Sequence, residues 1–477
     1  MRDISAAVPS LAATATTLQR VAAAACHAAS HAQHWHARAA LHVLDWLGCA
    51  AQGAQSPLGH AMGRWLSLQG TGRVPTLAST RSDPCAAAAY HGALGSTLEM
   101  DDVHRSSVLH PGPVVIPAVL AALPQSASGA SLLSAVIAGY EAMIRIGRCL
   151  GPSHYRWWHT TGTSGCFGAA AGAAVAMGLG HEEVAQAMAL AGTRAGGLWQ
   201  VRHEASWGKS WHMAGAAREG VTAAQLASCG MSGPLGIVEG PSGWLAATAP
   251  GSLARTADES ADGSHGWQPR EPWLADVSFK PWPACRHAHP AMDAWREATR
   301  GRSLCPDAVL RIDVHGYEDA LRFCDRSDPQ DPAQARFSIA HALAAWATHG
   351  EPQLAHYEGA CLRDPSVAAL RQRVHLHVDA AIQAAYPQHY GARVVVQWRD
   401  GSSSQAELRD TFGDPARAMS EADVQGKART LMREAGWPAT RVEAALAACE
   451  ALPVARDLQD LTAVLLDGSR AAPQTQD

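Results

Sequence analysis

A mainly α fold follows from three observations: a large helical domain interrupted by a smaller α+β domain. Alanine and glycine dominate the first 250 residues, where β-branched and aromatic residues are sparse. That composition favours helices packed closely through small residues. Alternating, β-branched runs are confined to the region after about residue 300. Beyond Gly413-Asp-Pro the spacing of apolar residues turns helical again. The helical domain therefore covers 1–271 and 413–477, and the α+β domain is inserted at 272–412.

The elements justify this division in order. Leu132, Leu133, Val136, Ile137, Tyr140 and Ile144 form an apolar stripe at helical spacing, ending near Gly147 and Gly151. Gly162 to Gly178 is small on every face, as a helix buried on all sides requires. A third helix opens at Glu182-Glu183, whose charges suit the positive end of a helix dipole. Ala214 to Ala227 predicts another. Between about 250 and 275 the chain is a polar linker. Strands are expected at 309–315, 374–378 and 392–398, the last turning at Asp400-Gly401 into a hairpin with 404–408. Helices intervene at about 287–300, 335–348 and 364–370, and two more follow at 420–434 and 439–451. Residues 471–477 are expected to be disordered.

Composition narrows the function. The net charge is −5 and no basic block occurs, which argues against nucleic acid as a partner. No run of 18 apolar residues is present, so no membrane span is expected, and the N-terminal stretch is too weakly apolar for a signal peptide. Eleven scattered cysteines without CxxC pairing read as reduced thiols of a cytoplasmic protein. No GxGxxG, GxxxxGK[ST] or GxSxG pattern marks a nucleotide site or a serine elbow.

Only three lysines stand against 35 arginines, and two of them sit among functional side chains. Lys209 lies in Ser206-Trp-Gly-Lys-Ser-Trp-His212, read as a loop just before a helix. Lys280 opens Lys280-Pro-Trp-Pro-Ala-Cys-Arg-His-Ala-His289, with Arg286 and His289 close behind. An ammonium is a compact charge whose pKa moves on burial, unlike guanidinium. Lys427 lies on a C-terminal helix and is expected to be a solvated surface charge. Two further segments carry titratable groups. Glu99, Asp101, Asp102 and His104 precede His110-Pro-Gly, and the acids there could instead simply pair with Arg105. His159-Thr-Thr-Gly-Thr163 precedes a small-residue helix whose free N–H groups suit an anion. Cations, histidines and orienting carboxylates together suit a small polycarboxylate and removal of its α-proton.

Other residues read more plainly. His27, His31 and His34 have helical spacing, but no acidic residue is near, so they are read as an exposed polar face and no metal site is expected. The 16 tryptophans, six of them in or near these segments, fit either core packing or a pocket less polar than a tricarboxylate needs.

The same segments, in this order, resemble the MmgE/PrpD family. The likeness runs from Leu44-Asp-Trp-Leu-Gly-Cys49 through Gly139-Tyr-Glu, His159-Thr-Thr-Gly-Thr and Gly233-Pro-Leu-Gly-Ile-Val-Glu-Gly240 to the Lys280 segment and Ala335-Arg-Phe-Ser-Ile. It implies an all-helical domain with an α+β lid, a homodimer, and cofactor-free lyase chemistry on a small di- or tricarboxylic acid. Dehydration is its leading form, with decarboxylation or epimerisation, or a non-catalytic carboxylate binder, as alternatives. Residue by residue it points to His110, His159, Lys209 and Lys280 as active-site positions, with Tyr317 in Val314-His-Gly-Tyr a further match. Where the family has D-F-D-D-T, this chain has Glu99-Met-Asp-Asp-Val103, a longer first acid and no threonine hydroxyl.

Overall fold

The computed structural model describes residues 15–31, 33–204, 206–249 and 271–469. Most of the polar linker and the terminal residues 471–477 lie outside them, as does nearly all of the N-terminal stretch. Helix accounts for 59% of the chain and strand for 10%, which makes the fold mainly α. Two compact units form. One comprises Met1–Thr97, Ser107–Val277 and Glu421–Asp477; the other comprises Leu98–Ser106 and Ser278–Ser420. The second unit thus runs from 278 to 420 rather than 272 to 412, and it takes in a nine-residue excursion that the sequence alone assigns to the helical part.

The first unit is built from α1 (Thr17–His31), α2 (His36–Gly53), α3 (Pro57–Leu66), α4 (Pro84–Gly95), α5 (Gly112–Ala122), α6 (Gly129–Tyr155), α7 (Thr160–Ala176), α8 (His181–Gly192) and α9 (Gly208–Ser228). Glu421–Glu434, Ala439–Ala451 and Gln459–Leu466 complete it. Helix α7 packs against α5, α6, α8 and α9, and every residue in it except Val175 is buried. Its small side chains make this possible. A Cβ on Gly168 would lie 2.4 Å from Met143 Cβ of α6, and one on Gly220 would lie 2.3 Å from Ala169 Cβ of α7. Glycine is therefore what lets three helix backbones approach this closely.

Helix α6 runs past the expected stop at Gly147, through a kink at Gly151 (φ +67) and on for another turn. Among the described residues it alone is long and apolar enough to cross a membrane, yet 83% of its apolar window is buried, chiefly among other helices. Helix α8 begins where the acidic pair predicts, with Glu183 accepting from Gly180 N at 2.9 Å. Helix α9 begins at Gly208, six residues before the expected start, so Lys209 and His212 are helical. The Trp207 carbonyl accepting from Trp211 N closes that first turn despite the glycine.

In the second unit a four-stranded sheet has the order Val374–Val378, Val309–Gly316, Ala392–Trp398, Ser403–Leu408. The first pair is parallel and the other two are antiparallel. Gly401 (φ +86) makes the hairpin turn, and Asp400 accepts from Ser402 N at 2.8 Å. Helix His289–Ala298 covers one face of the sheet, and Ile339–His349 packs on that helix.

Candidate functional site

In the first unit the candidate residues gather at the start of α7. His159 is its N-cap residue and donates its backbone N–H to the Gly197 carbonyl at 2.8 Å. Trp199 N–H donates to the Trp157 carbonyl at 2.9 Å, so these two stretches of loop are zipped together. The His159 ring is 1% exposed, lies 4.6 Å from the Trp199 ring, and brings its Nδ1 to 3.2 Å from His212 Nδ1 of α9. Burial, aided by the Lys209 ammonium, pushes His212 down to about 4. Gly197 (φ +132) makes room for that ring, since a Cβ there would stand 3.1 Å from His212 Cγ.

His110 joins the same region through its backbone, which donates to Thr161 Oγ1 at 3.1 Å. Two residues before it, Val108 has φ +49, a strained conformation for a β-branched residue and a common mark of functional segments. Thr163 is committed elsewhere: its hydroxyl meets His154 Nε2 at 2.8 Å, while Thr248 takes His154 Nδ1 at 2.8 Å. Burial holds His154 neutral, pushed down to about 3. That pair supports the helix start rather than offering a free hydroxyl.

In the second unit Lys280 is completely buried. Its Nζ donates to the Glu99 carbonyl at 3.2 Å and lies 3.5 Å from the Glu99 carboxylate and 3.6 Å from that of Asp101. Glu99 has φ +55, a left-handed conformation uncommon for a residue with a side chain. Asp102 and His104 are buried in the same segment. The acids therefore do not pair with Arg105, which reaches Asp410 at 3.1 Å and Asp414 at 3.7 Å instead. Two buried carboxylates beside one ammonium give a compact charged cluster, whose desolvation is offset by mutual attraction.

Cys285 borders this cluster. Burial pushes its thiol up, but a hydrogen bond from Cys324 and the Lys280 charge bring it below its ordinary value, while burial and Cys285 drive Cys324 well above.

Arg286 and His289 are tied into a structural lattice. His289 Nε2 lies 3.1 Å from the carbonyls of Trp282 and Ala284, so it carries the proton, and Nδ1 accepts from Arg286 at 3.2 Å. Burial and the Arg286 and Lys280 charges hold His289 well below the usual histidine range. Arg286 also pairs with Asp414, a fully buried carboxylate that accepts from Ser278 Oγ at 2.7 Å. Tyr317, also buried, meets His287 Nδ1 at 2.9 Å and stacks on Tyr386 at 4.2 Å. The His287 ring is itself stacked between Phe323 and Tyr390.

Two expectations are corrected. Lys427 is not a solvated charge: it is 9% exposed and its Nζ donates to Asp45 at 2.6 Å. Helix Glu421–Glu434 packs on α2, which carries that aspartate into reach. The three N-terminal histidines do not share one helix face, because α1 ends at His31; His27 and His31 stack at 4.1 Å, and His34 lies against Trp35. The tryptophans divide. Trp282 is buried against Trp346, whereas Trp157, Trp207 and Trp211 are exposed. The sequence gives no sign of His154 or Asp414, and it marks His212 and His287 only as members of the Lys209 and Lys280 segments.

A mainly helical chain with a part-buried histidine pair at a helix start, and a lysine–carboxylate cluster in a separate α+β unit, is built like an enzyme that handles protons and carboxylates. The comparison with known families agrees: the MmgE/PrpD N-terminal domain model matches residues 17–256 and the C-terminal domain model matches residues 282–451. The chain belongs to the MmgE/PrpD family and is an enzyme of the lyase class. It is 26% identical to cis-aconitate decarboxylase of Mus musculus over 409 residues, 81% of this chain and 80% of that protein. It is 25% identical to the Homo sapiens cis-aconitate decarboxylase over 408 residues, 81% of each chain. With the Aspergillus terreus cis-aconitate decarboxylase it shares 28% identity over 212 residues, 42% of this chain and 43% of that one.

Proposed function

We propose that this protein is a cofactor-independent lyase that releases CO2 or water from a small di- or tricarboxylic acid, with His159 moving the proton. The observation that carries the reading is the part-buried His159–His212 contact at the start of α7, with Lys209 on the same helix as His212. Either reaction places negative charge on a carbon next to a carboxylate. In decarboxylation the electron pair of the breaking C–C bond stays on carbon and is quenched by a proton. In dehydration a base takes the α-proton and a protonated hydroxyl leaves. An imidazole serves either step as acid or base.

The relatives' names favour decarboxylation of a cis-aconitate-like acid over the dehydration that the motifs first suggest. Lys209 binds a substrate carboxylate in this reading, and His110 is a second proton-transfer candidate. Lys280, already engaged by Glu99 and Asp101, would act as a held ammonium whose charge is shared with those acids. The smaller unit serves as a lid, the protein works as a homodimer, and its reduced thiols suit the cytoplasm.

The test is a product assay over a panel that includes cis-aconitate, 2-methylcitrate and iminodisuccinate. CO2 release that vanishes in His159→Gln supports decarboxylation, and water loss supports dehydration. No turnover of any panel member by the wild-type protein would count against the reading.

A further inference from the structure

We propose that His212 is the positioning residue for His159, accepting a hydrogen bond from His159 Nδ1 and so leaving Nε2 as the atom that exchanges a proton with substrate. The catalytic part of this rests on the lyase reading above; the hydrogen bond itself does not.

The two Nδ1 atoms are 3.2 Å apart, so one proton lies between them: one ring donates and the other accepts. Neither ring can readily swing away. Gly197 sits so close to the His212 ring that a Cβ there would be 3.1 Å from Cγ and Nδ1, and one on Gly162 would be 3.1 Å from His212 Cβ. On the other side, the His159 backbone is bonded to Gly197 and Trp199 lies against its ring.

The direction of the bond follows from the working state. In dehydration His159 Nε2 takes a proton from a substrate carbon, the C–H bond breaks and its electron pair stays on carbon. In decarboxylation the Nε2 proton goes to the carbon that keeps the pair of the broken C–C bond. Either way His159 is, on one side of the step, a cation with a proton on each nitrogen. Its Nδ1–H then needs an acceptor. His212 can be that acceptor only if it is neutral, with its own proton on Nε2. Burial and the adjacent Lys209 ammonium keep it so. A neutral imidazole thus takes the place that a carboxylate holds in a serine-protease triad, fixing the tautomer and orientation of the reacting histidine.

The test uses the full-length protein labelled with 15N-histidine. In the wild type, His159, assigned through His159→Gln, should show a protonated Nδ1 and an unprotonated Nε2 at neutral pH. His212→Leu should lose that signature and lower kcat on the order of 10- to 100-fold with KM nearly unchanged. His212→Asn, whose amide oxygen can occupy the acceptor position, should restore both. A wild-type His159 protonated on Nε2 would overturn the proposal whether or not any variant folds. So would full kcat in His212→Leu. The lyase reading fails separately, if the wild-type protein turns over no member of the panel while the tautomer is as described.

Discussion

Lys280 and Glu99 are joined twice: the ammonium donates to the Glu99 backbone carbonyl at 3.2 Å and stands 3.5 Å from its carboxylate. The Glu99 backbone at this point is left-handed, at φ +55. Removing the ammonium leaves buried carboxylates without that counter-charge. Lys280→Met should therefore lower stability by about 3–5 kcal/mol in urea denaturation. The double variant Lys280→Met/Glu99→Gln should recover part of the loss. An unchanged unfolding midpoint in the single variant would mean that the cluster is not held by Lys280.

The Lys427–Asp45 pair makes a contrasting case, because nothing in the proposed chemistry uses it. Lys427→Met should also cost about 3–5 kcal/mol, since Asp45 is 2% exposed. Turnover per folded molecule should stay at the wild-type level. A selective fall in kcat, with the unfolding midpoint unmoved, would contradict a purely structural role.

The pattern that was legible in the sequence is the one set by local spacing. Strand alternation at 309–315 and 392–398, and the small-faced run of α7, depend on neighbours within a few residues, so they could be read directly. The Lys280 and His159 segments stood out because rare or titratable residues crowd beside glycine and proline. Partnerships across the chain could not be read. Asp45 lies 382 positions from Lys427, and a helix pattern says nothing of such a partner. Asp414, in a Gly-Asp-Pro turn, looks like an ordinary cap, although it is a fully buried anchor for Arg286 and Ser278. His212 was passed over because Gly208 suggested a loop where α9 had already begun.

Stability should fall with acid before the carboxylates titrate. His154 and His91 are pushed down to about 3, and His212 and His341 to about 4, each chiefly by burial. In the unfolded chain these groups take up protons near 6.5, so between that value and about 4 the unfolded state binds more protons. Stability then rises with pH across this window and is lost as pH falls. Melting temperature should drop steadily from pH 6.5 to 4.5, and His154→Gln should flatten the slope. A flat profile over that range would show that these histidines are not buried neutral.

The close approach of α6 and α7 can be tested at Gly168. An alanine there would put its Cβ 2.4 Å from Met143 Cβ and 2.9 Å from the Gly139 carbonyl oxygen, so backbone as well as side chain must yield. Gly168→Ala should destabilise by about 1–3 kcal/mol despite alanine's better helix propensity. A more stable variant would mean that the helices have room to spare.

In the proposed reaction His159 moves a proton at a carbon next to a carboxylate. Incubation with cis-aconitate and related polycarboxylates in D2O, followed by mass spectrometry, tests it most directly. Deuterium should appear in the recovered product or substrate with the wild-type protein, and not with His159→Gln. Equal deuterium incorporation by the two proteins would contradict it.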